Sequence, residues 1–129
     1  MNAPEDTVLI GQALARARLL TESMLGKQRP DLDGDGAFVA ALCWRLLELT
    51  AATAQVSADL QGRFPDLPWR ELLGLRRRLI HGPLSLDREV LWLVLTQDVP
   101  VLIRGLDTIL AAKPPSKPGI ADSTAIRPA

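Results

Sequence analysis

The chain has 129 residues, of which 47% are apolar and 23% charged, the range of a single globular domain long enough to bury a core. Fifteen basic residues offset fifteen acidic ones, so no global field draws the protein to nucleic acid or membrane, and any phosphate site has to be a local cluster. One cysteine, Cys43, excludes an internal disulfide, and one histidine beside it leaves too few ligands for a dedicated zinc site.

Helical periodicity governs the chain. Ile10, Ala13, Leu14, Ala17, Leu20 and Met24 recur at i, i+3, i+4 and i+7, which predicts a first helix. Pro30, Gly34 and Gly36 break it within "KQRPDLDGDGA", and Asp35 is placed to cap a second helix. That helix carries Val39, Leu42, Leu46, Leu49, Thr53, Val56 and Leu60, a 3–4 spacing that predicts one long seam against partner helices. After the break "GRFPDLPW", Pro68 suits the first position of a third helix, which runs to His81 and stops at Gly82 and Pro83. Ser85 is the expected cap of a fourth helix containing "VLWLVL". With no partner strand in the chain, that run reads as buried helix. Asp98 and Pro100 are expected to open a fifth, with Leu102, Leu106, Ile109 and Leu110. The Pro-rich, core-poor residues from Lys113 onward read as a disordered tail. The expectation is an all-α fold, an antiparallel bundle of four to five helices over residues 1–112. The acidic start "MNAPEDTVLI" lacks the basic region of a signal peptide, and "VLWLVL" is too short to span a bilayer, so the expected location is cytoplasmic.

Two stretches carry possible chemistry. In "DLDGDG", Asp31, Asp33, Asp35 and Gly36 fit positions 1, 3, 5 and 6 of a calcium-binding loop. Val39 and Leu42 then fall where oxygen ligands are needed, so a turn with a helix cap is the better account. In "GLRRRLIHGP", three arginines precede the only histidine. At about 100° per residue, Trp69, Leu72, Leu73, Leu79 and Ile80 form one apolar stripe with Arg76 in its middle. Arg77 shares a face with His81 at i, i+4, and Arg78 points the other way. Cations in a last helical turn meet the helix dipole favourably, which accounts for Arg77 and Arg78. Arg76 on an apolar stripe needs a partner, with Glu48 a conceivable one, or a cleft to face.

A cleft would make sense chemically. Metal-free RNA cleavage needs a general base for the 2′-hydroxyl and a cation for the charge growing on phosphate, tasks suited to histidine and arginine. Arg76 and His81 stand five residues apart, hence about 140° apart on a regular helix. Two copies about a two-fold axis could bring them together in a cleft running between the copies.

From about Ala40 to Ile109, and most closely in "FPDLPWRELLGLRRRLIHGPLSLDREVLWLVLTQDVPVL", the sequence resembles the HEPN toxins of the HepT type, the ribonuclease half of bacterial HepT/MntA toxin–antitoxin pairs. Their signature is Arg, four to six residues, then His, commonly R-N-x-x-x-H-x-Y. Arg76 and His81 take the two catalytic positions. The resemblance implies a metal-independent endoribonuclease without cofactor. It also implies an active site between two protomers and a nucleotidyltransferase-type (MntA-like) antitoxin. Arg77 and Arg78 are expected to hold the RNA backbone. Three departures stand out. Arg77 replaces the usual Asn. Pro83 sits where the family often has the Tyr that the antitoxin modifies with AMP, and this chain has no tyrosine. Thr50 and Ala51 stand where relatives often show Gly-Glu. The competing expectation is a catalytically inactive HEPN scaffold that binds a nucleotidyltransferase partner or a nucleotide.

Overall fold

The computed structural model describes residues 3–82 and 86–112, with side chains from residue 5 onward. The expected cap Ser85, Pro83 and the expected tail 113–129 lie outside the described residues. Every regular element among those described is helical: α1 (Ala3–Ser23), α2 (Asp31–Gly34), α3 (Gly36–Ala54), α4 (Ala58–Arg63), α5 (Trp69–His81), α6 (Arg88–Leu93), a π turn (Val94–Asp98) and α7 (Val99–Ala111). The expected all-α bundle is what forms.

Helix α1 packs against α3 and α7, and α3 packs in turn against α5. The buried apolar side chains join into one core, with Ile10, Leu20, Leu42, Leu46, Leu49, Leu79, Leu91, Leu102 and Leu106 among its fully enclosed members. The periodic residues of the first helix are nearly all inside, as their spacing requires. The α1–α3 connection turns at Gly26, whose φ of 75° is open to glycine at little cost. Asp35 caps α3 as expected, its carboxylate accepting the Phe38 N–H at 3.0 Å. In the same loop the Asp31 carboxylate accepts from Gln28 N at 2.7 Å, and Asp33 pairs with Arg29 at 3.1 Å. All three aspartates of "DLDGDG" are therefore engaged in shaping the turn.

The long seam expected from Val39 to Leu60 is divided. Helix α3 ends at Ala54, and a separate helix α4 starts at Ala58 under a Ser57 cap that accepts from Leu60 N at 3.2 Å. Val56 and Leu60 are still buried, but from the turn and from α4. The break is held from a distance. The buried carboxylate of Asp6 accepts the Ser57 backbone N–H at 2.9 Å and also the Ser57 hydroxyl. Asp6 lies near the start of α1 and Ser57 just past the end of α3, so these two helices run antiparallel.

Pro68 stands one residue outside α5, in the cap position, instead of opening the helix. The Trp69 indole N–H donates to the Phe64 carbonyl at 2.8 Å, closing the "FPDLPW" turn on itself. Trp69 and Leu73 line a cavity with Thr53 and Ala54. Helix α5 therefore begins beside the end of α3 and runs back along it to His81.

The expected fourth and fifth helices are one continuous rod. Asp87 caps it, its carboxylate accepting Glu89 N at 2.7 Å. Asp98 caps nothing and lies inside the π turn, where Val99 N–H reaches back to the Val94 carbonyl. The reason is Pro100. A proline has no N–H and crowds the carbonyl four residues earlier in a regular helix. The widened turn just before it lets the chain stay helical. Helix α3 is long and apolar enough, by length and composition alone, to cross a membrane, a feature that counting unbroken apolar runs missed. Its Val39, Leu42, Leu46 and Leu49 are packed inside the bundle.

Candidate active site

The buried face of α5 is Leu72, Leu75 and Leu79. This differs from the stripe drawn on the helical wheel, because Leu73 and Ile80 are 40% and 57% exposed. Trp69, Leu73, Arg76 and Ile80 instead form a neighbouring, partly uncovered strip, and α3, packed alongside, leaves Trp44 61% exposed. Arg76 is half-buried within that strip. Glu48 is half-buried as well, yet the two form no ion pair, and Arg76 has no carboxylate partner among the described residues. A half-buried arginine on an apolar strip, left without a counter-charge, adds little to stability by itself.

His81 ends α5, where the Gly82 N–H bonds back to the Arg78 carbonyl at 3.1 Å. It is exposed, and with Arg77, Arg78, Leu86 and Asp87 it lines an open cleft of about 460 Å³. Arg77 and His81 thus share a face as their spacing predicts, while Arg78, expected to point the other way, borders the same cleft as well. Arg76 does not line that cleft. One protomer brings His81 together with Arg77 and Arg78 and leaves Arg76 on the adjoining strip.

Thr50 is buried, and its hydroxyl donates to the Leu47 carbonyl at 3.0 Å, so it is satisfied within α3. Cys43 is also enclosed by the core, and burial pushes its thiol up, with the charge of Arg88 acting in the opposite direction. No three His, Cys, Asp or Glu side chains gather as a metal site among the described residues. Two further groups escaped the reading of the sequence. Glu71 and Asp98 line one groove together with Arg78. They belong to different helices, and no local spacing joins them.

Comparison with known proteins bears on this site. The family model described as "Ribonuclease HepT-like" matches residues 5–109. A Methanocaldococcus jannaschii protein with a provisional RNase name, MJ1380, is 33% identical over 66 residues, covering 50% of this chain and 61% of its own. The "Probable ribonuclease HepT" of Thermococcus cleftensis is 36% identical over 59 residues, covering 45% of this chain and 54% of its own. The aligned segments thus span little more than half of these relatives. No solved structure gives a significant match. With the family model covering all the described helices but the ends of the first and last, this chain belongs to the HepT-like ribonuclease family.

Proposed function

We propose that the protein is a metal-independent endoribonuclease acting as the toxin of a toxin–antitoxin pair in the cytoplasm. Its active site is a cleft between two copies of the chain. The observation that carries this reading is the pairing of an exposed His81 with a half-buried Arg76 that has no counter-charge among the described residues. His81 takes the proton from a ribose 2′-hydroxyl, and the freed oxygen attacks the adjacent phosphorus. The bond to the 5′-oxygen then breaks, and that oxygen takes up the proton carried by His81, giving a 2′,3′-cyclic phosphate end and a free 5′-hydroxyl. Arg76 neutralises the charge that builds on the phosphoryl oxygens, while Arg77 and Arg78 hold the flanking backbone.

The dimer is supported by the uncovered strip of α5 and by Trp44, since Trp, Arg and aliphatic side chains of this kind anchor protein interfaces. A nucleotidyltransferase-type partner is the proposed antitoxin. Because the chain has no tyrosine, that partner neutralises it by a route other than tyrosine AMPylation. The second reading, an inactive scaffold binding that partner or a nucleotide, draws on Arg77 in place of Asn and on the same lack of tyrosine.

Purified protein incubated with total RNA in excess chelator separates the two. The ribonuclease reading expects cleavage that survives chelator and disappears in Arg76→Ala and in His81→Ala. Intact RNA with folded wild-type protein leaves the scaffold reading in its place.

A further inference from the structure

Beside the His81 cleft lies a second cavity of about 310 Å³, between α5 and the α6–π-turn rod. Leu72, Leu75, Val90 and Val94 supply its apolar lining, and Glu71, Arg78 and Asp98 its polar groups. Arg78 lines both spaces, so the two adjoin at one residue. Gly74 also lines the groove, and a Cβ there would meet nothing within 4 Å, so the wall stays open at that point. The first and last residues of the π turn, Val94 and Asp98, both face this groove. Neither the Glu71 nor the Asp98 carboxylate has a hydrogen-bond or ion-pair partner among the described residues.

We infer that this groove is a nucleobase subsite, taking the base next to the phosphate gripped by Arg77 and Arg78 and so restricting the substrate to single-stranded RNA. The inference rests on the ribonuclease reading above. The volume is at the low end for a small-molecule site and suits one planar ring system. Its aliphatic walls accept the faces of a base, as an unpaired nucleotide offers them. Two carboxylates accept hydrogen bonds only, so they select bases that present amino groups, namely adenine, guanine and cytosine. Uracil has no amino group and offers only its N3–H, set between two carbonyl oxygens that the carboxylates repel, so it is disfavoured. Arg78 sits where the phosphate of the same nucleotide must pass, which explains why a surface arginine borders both spaces.

The test uses single-stranded oligoribonucleotides that differ only in the base flanking the cleaved bond, on each side in turn. The substrates are given to the wild type and to a Glu71→Ala/Asp98→Ala double variant whose folding is checked by circular dichroism. Wild type is expected to favour an amino-bearing base over uracil on one side by about tenfold or more, as lost hydrogen bonds to charged groups imply. In the double variant that ratio falls toward one. A ratio unchanged in the double variant overturns the subsite while leaving the ribonuclease standing. Should the wild type cleave none of them, the ribonuclease reading fails on its own. The subsite is then read by calorimetric binding of AMP, CMP and GMP against UMP to the His81→Ala protein. Tighter binding of the first three, lost on adding the two carboxylate substitutions, supports it. Equal binding of all four, or none, overturns it.

Discussion

Arg77 and His81 open onto the same cleft of one protomer, while Arg76, one residue earlier on α5, lies on the adjoining half-covered strip. A helix turns about 100° per residue, so neighbours in sequence serve different surfaces. The two groups proposed for catalysis are therefore on different faces of one helix. That arrangement suits a site completed by a second copy, with the positive charge of Arg77 and Arg78 flanking the histidine that faces it.

The tie between Asp6 and Ser57 is a stability prediction. Asp6 is buried and accepts two hydrogen bonds from a residue that also caps α4. Asp6→Ala removes two part-buried hydrogen bonds to a charged acceptor and is expected to cost about 1–3 kcal/mol. Ser57→Ala is expected to cost about 1–2 kcal/mol, for the cap and the hydroxyl together. Urea melts of the single and double variants should reveal coupling, because both substitutions remove the same contact. Strict additivity would mean the tie contributes little.

Gly105 on α7 faces the side chain of Leu67, and a Cβ there would lie 2.8 Å from two of its carbons. Leu67 belongs to the turn that leads into α5, so this contact seats the start of the candidate active-site helix. Gly105→Ala is expected to destabilise by about 1–3 kcal/mol through overpacking, despite alanine's better helix propensity. Adding Leu67→Ala removes the clash. Thermal melts should show the double variant recovering part of the loss; a neutral or stabilised Gly105→Ala would contradict the packing described.

Cys43 predicts a pH dependence. Burial raises its thiol above the ordinary value in the fold, so the unfolded chain releases the proton first as pH rises. The fold is then at full stability below the usual thiol range near pH 8.5 and loses stability as pH climbs through it toward the raised folded value. A Cys43→Ala variant lacks that slope. Melting temperatures of the two proteins should fall together below pH 8, apart from a constant offset, and converge above it. Parallel curves up to pH 10 would contradict the assignment.

Much of this was legible in the residues themselves. Gly82 after His81 marked the end of α5, and the i, i+4 spacing of Arg77 and His81 placed them on one face, because both features are local. The seam from Val39 to Leu60 looks unbroken in the sequence, since Val56 and Leu60 keep the apolar spacing. What divides it is a carboxylate at Asp6, 51 residues away from Ser57, and no local pattern carries that. The π turn was equally hidden. Pro100 signalled an interruption, but whether a helix stops or widens depends on its neighbours in the bundle. The groove between α5 and the last rod, with Glu71 and Asp98 on it, exists only once the helices are packed.

The central claim, one active site shared between two copies, has a direct test in mixing two inactive proteins. Arg76→Ala and His81→Ala variants are purified separately, combined under conditions that exchange subunits, and assayed for RNA cleavage in excess chelator. In a mixed two-fold dimer, one cleft loses both groups while the other keeps an intact Arg76 from one copy and His81 from the other. Activity should return on mixing to about a quarter of wild type, as random exchange makes half the dimers mixed with one working cleft each. No recovery from fully exchanged, folded subunits would contradict a cleft built from Arg76 of one protomer and His81 of its partner.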